Sequence, residues 1–322
     1  MLYRSGENLE EGAIAFLKNS KSVTLYSAYL KIAELERINT NKEIKQIIVR
    51  WEIKDLCLGV SDLELFQYCI DNNIALYRNT RIHLKTFWDN EKHIFFGSAN
   101  VTSKGLGEKG QFNFELNGEK DDISFDDILY LNSIINNSEY ISQALFTRIK
   151  NIVDETILPI IEYPILDTKK DNIDFFLLSQ LPMTRHPEDL YKITDDGNTS
   201  CQILSCAAHD LILYKVSSQM TKKDFYDTLK IEFNSHSFIV KFKEAIKSST
   251  HRNSERDGSF QFGAVRVWFS ENTTTVPTPR PFDLNENVQI LYNWICYFDE
   301  CYSQGIPGGH SQVIKYTATL LN

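Results

Sequence analysis

The sequence predicts an α/β fold for its first half and a smaller α+β unit for its second. Two observations carry this. From residue 22 to about 115, short β-branched and aromatic runs alternate with stretches of helical period, the pattern of a largely buried sheet flanked by helices. Pro159 and Pro164 then break a helical pattern, and the polar run 167–172 reads as a linker, dividing the 322 residues into 1–165 and 166–322.

In order along the first half, residues 22–30 (SVTLYSAYL) read as a buried strand and 31–39 as a helix carrying charges at helical spacing. Residues 44–51 (IKQIIVRW) form a second strand. Across 62–73, Leu63, Phe66, Cys69 and Ile70 mark one face of an amphipathic helix, and 74–77 follow as a short strand. Residues 82–88 and 93–97 are apolar runs separated by Asp89-Asn90-Glu91-Lys92, the plan of a β-hairpin. Two helices close the half, the first with Ile128, Leu131, Ile134 and Ile135 on one face, the second with Leu145, Ile149, Ile152 and Val153.

Composition narrows the class. With 42% hydrophobic and 24% charged residues the chain can bury a core, and no apolar run approaches the roughly 20 residues of a membrane span. The opening residues lack the cationic-then-apolar plan of a secretory signal, and six scattered cysteines suggest reduced thiols, so a cytoplasmic chain with no membrane association is expected. The net charge is −9, yet nucleic-acid binding needs only a local patch. Residues 1–165 carry 18 Lys/Arg against 24 Asp/Glu, a balance of −6, whereas 215–266 carry 10 against 6, a balance of +4.

The chemistry lies on the predicted hairpin. It reads His83-Leu84-Lys85, then Gly97-Ser98-Ala99-Asn100. Alternation along a strand sends His83 and Lys85 to one side. A neutral imidazole beside an ammonium can attack phosphorus while the cation stabilises charge growing on the non-bridging oxygens. Ser98 and the Asn100 amide add hydrogen-bonding groups for a phosphate.

This conjunction of His-x-Lys, a turn and Gly-Ser-x-Asn resembles the signature of the phospholipase D superfamily, and in particular its single-motif nucleases and metal-independent restriction endonucleases. The resemblance spans residues 22 to about 115. It implies a phospholipase D-like fold for 1–165 and phosphodiester hydrolysis through a phosphohistidine, with no metal and no cofactor. It also implies a role for Glu115 in orienting the histidine. The pattern's aspartate five residues after the lysine is Asn90 here, with Asp89 one residue earlier. The chain holds one His-x-Lys where the chemistry uses two histidines, so the resemblance implies a homodimer through 1–165 that brings two copies of His83 together. A role in prokaryotic restriction or anti-phage defence, with a separate ATPase or helicase subunit, follows by the same analogy.

In the second half, helices are read at 187–190, 207–216, 221–233 and 237–247, then a polar loop at 248–259 and a strand at 260–270. Helix, turn, helix, basic loop, strand is the order of a winged helix over 207–270. In that arrangement Lys241, Lys243, Lys247, Arg252, Arg256 and Arg266 face DNA phosphates, as does Lys104 beside the motif. A packing or dimerisation role for the same segment stays open. The two Cys-x4-Cys pairs, Cys201/Cys206 and Cys296/Cys301, read as buried thiols rather than zinc ligands.

The sequence therefore predicts a metal-independent endonuclease acting on DNA, with catalytic residues His83, Lys85, Ser98, Asn100 and Glu115. Two other readings remain: a catalytically silent DNA- or partner-binding subunit, and a phosphodiesterase acting on RNA or phospholipid.

Overall fold

The structure is a computed structural model that describes residues 1–107, 112–159, 176, 180–193, 200–250, 258–273, 284–306 and 311–318. The chain divides into two compact units, Met1–Pro164 and Ile165–Asn322.

The first unit is built on an eight-stranded mixed sheet. Its strands are β1 (Leu2–Arg4), β2 (Val23–Ser27), β3 (Ile44–Val49), β4 (Ala75–Arg78), β5 (Lys85–Trp88), β6 (Ile94–Gly97), β7 (Leu116–Lys120) and β8 (Glu139–Tyr140), in the order β1-β7-β6-β5-β2-β3-β4-β8. Neighbours β2, β3 and β4 are parallel; every other pairing is antiparallel. The strands at 22–30, 44–51, 82–88 and 93–97 are present in shorter form, and the one at 74–77 is shifted by one residue to Ala75–Arg78.

Alternation sorts the strand side chains into two cores. Val23, Leu25, Ile47, Val49, Phe87 and Phe95 pack on one face, where they meet α1 (Leu9–Asn19), α2 (Ile32–Ile38), α4 (Leu65–Asp71) and α7 (Gln143–Glu155). Tyr26, Ile48 and Trp88 point to the other face and meet α6 (Phe125–Asn136) through Leu131 and its half-buried neighbours Ile128, Ile134 and Ile135. The helix α6 starts on a capping box between Ser124 and Asp127. Between α2 and α4 lies the short α3 (Ile53–Cys57), and after β6 the single turn α5 (Ser103–Leu106).

The second unit has six helices among its described residues: α8 (Pro187–Ile193), α9 (Cys201–Leu213), α10 (Lys222–Ser235), α11 (Ser237–Lys247), α12 (Phe262–Asn272) and α13 (Leu284–Phe298). A three-stranded antiparallel sheet, β10-β11-β9, is made from β9 (Ser259–Gln261), β10 (Tyr302–Gly305) and β11 (Val313–Tyr316). The helices expected at 221–233 and 237–247 are there, the first capped by the Thr221 hydroxyl.

One expectation is overturned. The strand predicted over 260–270 survives only as β9, and the rest is α12, because Val265 and Phe269, spaced i and i+4, are both fully buried. The wing strand read into 207–270 is therefore a helix, and the hairpin of this unit, β10 with β11, lies further along the chain. The linker read at 167–172 lies outside the described residues. No helix among the described residues is long and apolar enough to cross a membrane.

Asp210 is the buried polar anchor of the second unit. Its carboxylate is fully buried and accepts from the Met183 N–H at 2.9 Å and the Thr184 N–H at 2.7 Å, with His209 Nδ1 at 2.7 Å. Removing it leaves two buried donors without an acceptor. Asp210→Ala is therefore expected to destabilise the protein by about 2–4 kcal/mol, seen as a fall in the urea midpoint; an unchanged midpoint would show the anchor to be dispensable.

Candidate active site

All of the predicted motif residues gather at one edge of the large sheet. Strand β5 runs antiparallel to β2, so its first residue, Lys85, pairs with the last residue of β2, Ser27. The end of β6 and the start of β7 finish at the same edge, where Gly97 pairs with Asn117. The parallel strands β2 and β3 end here too. This is the side of an open α/β sheet on which loops leave the carboxyl ends of parallel strands.

His83 precedes β5 and is exposed, while Lys85 is only 8% exposed. The Lys85 ammonium lies 3.0 Å from His83 Nδ1 and donates to the His83 carbonyl oxygen at 2.7 Å. Burial lowers the Lys85 pKa; the Glu115 carboxylate opposes that shift and the Arg50 cation adds to it. Partial desolvation makes this ammonium a stronger partner for an incoming anion than a hydrated surface lysine.

The loop after β6 is clamped from both sides. The Ser98 N–H donates to the Leu116 carbonyl at 3.2 Å, and the Ser98 hydroxyl accepts from the Leu116 N–H at 3.1 Å and donates to the Glu115 carboxylate. Glu115 itself is fixed by the Ser5 hydroxyl, which accepts from its N–H at 3.0 Å. The side-chain carbonyl of Asn100 accepts from the Tyr29 N–H at 3.2 Å, which leaves its amide N–H groups without a partner among the described residues. Gly97 is required by close approach: a Cβ there would overlap both Asn117 Oδ1 and the Leu116 carbonyl oxygen. Asn117 Oδ1 is in turn the acceptor for the Ala99 N–H, at 3.2 Å.

Glu115 reaches Ser98 rather than His83 within the chain. Asn90, at the position of the pattern's aspartate, lies in the turn at the far end of the hairpin, roughly 16 Å from Lys85 by strand rise. It adopts the left-handed region (φ 63°), accepts from the Thr24 hydroxyl at 2.6 Å and donates to the Ser22 carbonyl at 3.1 Å. Asp89 accepts from the N–H groups of Glu91 and His93 in the same turn. Both residues shape the turn, at a distance from the histidine.

Sequence reasoning missed Arg50 and Tyr29. Arg50 directly follows β3, and its guanidinium binds the buried Asp55 carboxylate through two hydrogen bonds of 2.7 and 2.8 Å. The same group donates to the Tyr29 hydroxyl at 2.6 Å and sits over the Tyr29 ring, 4.6 Å from its centroid. The hydrogen bonds Arg50 donates to Asp55 hold it charged well past the ordinary arginine pKa. Arg50 thus supplies a second fixed cation beside Lys85 and ties Tyr29, whose N–H holds Asn100. An arginine inside a run read as a strand carried no local signal of this role.

The other predicted contacts separate. Lys104 is exposed on α5, and Lys241, Lys247 and Arg266 are exposed in the second unit, Arg266 on a helix rather than the expected strand. The Lys241 ammonium lies 5.5 Å from the Phe176 ring centroid and that of Lys247 4.9 Å from Tyr316. Lys243 is corrected: it is buried, with its ammonium on Asp299 at 2.8 Å and Asn234 at 2.7 Å, so it serves the core and faces no phosphate. Arg252 and Arg256 lie outside the described residues.

No protein-family model matches the sequence, and no curated protein matches it. Solved structures similar to this chain include Nuc, a phospholipase D family member from Salmonella typhimurium, at 14% identity over 44% of this chain and 99% of that one, with a TM-score of 0.35. NucT from Helicobacter pylori is 16% identical over 44% of this chain and 100% of its own, TM-score 0.31. Phosphatidylserine synthase from Haemophilus influenzae Rd KW20 is 13% identical over 48% of this chain and 43% of its own, TM-score 0.30. These likenesses are distant, and the functional argument rests on the side chains at the sheet edge.

Two substitutions test the geometry. Lys85→Met removes a charge that burial penalises, so thermal stability at neutral pH should hold or rise; a clear fall in melting temperature would mean that the ammonium holds the edge together. Gly97→Ala forces β6 and β7 apart and should cost more than about 2 kcal/mol in chemical unfolding, whereas a neutral outcome would contradict the close approach.

Proposed function

We propose that this protein is a metal-independent nuclease of phospholipase D type that hydrolyses DNA phosphodiesters through a phosphohistidine, working as a homodimer. The observation that carries the reading is the Lys85 ammonium held 3.0 Å from the His83 imidazole, beside the clamped Ser98–Asn100 loop. An exposed histidine beside a partly desolvated lysine suits nucleophilic attack on an anion.

The chemistry follows from the donors. With Lys85 donating to Nδ1, a neutral His83 ring carries its proton on Nε2. An incoming phosphodiester draws the ammonium toward its oxygens and frees Nδ1 to take the proton, so that Nε2 becomes the nucleophile. The N–P bond forms as the P–O bond to the leaving sugar breaks, and that oxygen takes a proton from the partner subunit's His83. Water then attacks phosphorus, gives a proton to that same histidine, and the N–P bond breaks. Lys85 and the amide N–H groups of Asn100 meet the non-bridging oxygens, where negative charge grows in the transition state. Ser98, bonded to Glu115, holds the loop that presents Asn100.

A second copy is needed because the chain has a single His-x-Lys. Leu2, Phe96 and Leu116 support this reading. Register puts them on one face of β1, β6 and β7 beside the site, and they are 58, 42 and 49% exposed. Such an apolar face suits an isologous contact. The exposed cations of the second unit, Lys241, Lys247 and Arg266, are proposed as sequence-independent phosphate contacts, and defence against foreign DNA is the proposed setting.

The test is plasmid cleavage in EDTA. The wild type should cut, and His83→Ala should lose more than about 100-fold in rate. Mixtures of the two should lose activity faster than in proportion to the wild-type fraction. Cleavage surviving in His83→Ala, or a strictly proportional loss from a monomer, would overturn the mechanism. Tight DNA binding with no cleavage by any form would favour the silent-subunit reading.

A further inference from the structure

A groove of about 630 Å³ opens beside His83, lined by Asn79, Arg81, Leu84, Tyr130, Ser133 and Asn137, among others. The helix α6 shapes one wall. It turns Leu131 into the core and presents Tyr130, Ser133, Ile134 and Asn137, at i, i+3, i+4 and i+7, along the groove. That stripe carries an aromatic ring, a hydroxyl and an amide, with no charge. The opposite wall is the segment leading into His83.

We propose, resting on the nuclease reading, that this groove seats an unpaired stretch of the DNA substrate, with Arg81 on the phosphate next to the scissile one and Tyr130 stacking a base. The groove's volume lies within the range of ordinary ligand clefts. No carboxylate lines it, and the side chains in it that can carry positive charge are Arg81 and His83. The second cleft at this edge, about 490 Å³, holds Glu7, Glu115 and Arg4 together with exposed Phe112 and Phe114; Arg4 pairs with Glu7 at 3.1 Å, so the cleft keeps a net negative charge that repels a polyanion. The two clefts therefore differ in sign, and the strand takes the one without carboxylates.

The Arg81 side chain is exposed, and its guanidinium has no partner among the described residues. It lies two residues before His83, at most about 7 Å along the backbone, so the two side chains can engage neighbouring phosphates of one strand. Tyr130 is 60% exposed, its ring uncommitted to any other aromatic. Base stacking on an exposed ring needs a base free of its complement, which is why the groove fits single-stranded rather than paired DNA. The Ser133 hydroxyl donates to the Tyr130 carbonyl at 2.7 Å and Asn137 Nδ2 to the Ser133 carbonyl at 2.7 Å. Those bonds leave Ser133 Oγ and Asn137 Oδ1 as acceptors, suited to the exocyclic amino groups of bases.

Binding separates this inference from the cleavage reading. Anisotropy of a fluorescein-labelled single-stranded oligonucleotide is titrated with protein carrying His83→Ala, so that no strand is cut. Adding Tyr130→Ala should weaken binding at least about fivefold, while Tyr130→Phe keeps the affinity. Arg81→Ala should weaken binding and flatten its salt dependence. Phe125→Ala, on the same helix but away from the groove, is the control and should bind as the parent does. An unchanged affinity in Tyr130→Ala, or an equal loss on the matching duplex, overturns the proposal whether or not the wild type cleaves; loss of cleavage alone speaks only against the mechanism at His83.

Discussion

The site depends on one topological constraint: β5 enters the sheet antiparallel to β2, so its first residue meets the carboxyl end of a parallel pair. That meeting places Lys85 beside Ser27 on one side and, by the register of β5 with β6, next to Gly97 on the other. Everything with polar chemistry then arrives by strand ends and short loops: His83 before β5, Ser98 and Asn100 after β6, Glu115 before β7, Tyr29 after β2 and Arg50 after β3. A rigid sheet with an edge of this kind can hold several groups within hydrogen-bonding distance without long, entropically costly loops. The glycine at 97 belongs to the same constraint, since only a missing side chain lets β6 and β7 close over Asn117.

Two cations, Lys85 and Arg50, lie at that edge with two carboxylates, Glu115 near Lys85 and Asp55 on Arg50, and the Lys85 ammonium has given up part of its hydration. In the absence of an anion, Lys85 rests on the imidazole and on a backbone carbonyl, and Arg50 rests on Asp55. The arrangement costs stability and is offset by the apolar cores on the two faces of the sheet. Under the proposed mechanism it becomes favourable when a phosphate replaces the lost water.

Much of the first unit was legible because its signals are local. The His-x-Lys run, the hairpin turn and the Gly-Ser-x-Asn run are short-range patterns that the structure brings to one place, although β5 begins only at Lys85, so His83 reaches the site from the segment before the strand rather than by strand alternation. What escaped depends on distance along the chain. Lys243 looked like a solvent-facing cation, yet its partner Asp299 is 56 residues away, and the burial that joins them has no sequence signature. The run 260–270 is rich in β-branched and aromatic residues, but a helical spacing at Phe262, Val265 and Phe269 prevailed once those side chains had a core to enter. Helix α1 shows a plain helical repeat at Leu9, Ala13, Phe16 and Leu17 that the sequence reading passed over. Arg50 lay inside a predicted strand run; only the fold shows that it emerges beside the motif.

The central claim is that His83 becomes covalently bonded to phosphorus. It is tested most directly by quenching the protein in alkaline detergent, in the presence of EDTA, during turnover of phosphate-labelled DNA and mapping the label by peptide mass analysis at alkaline pH. The account predicts an acid-labile, base-stable adduct on His83, absent from His83→Ala. Label on another side chain, or cleavage with no trapped adduct together with a strict dependence on divalent metal, would contradict it.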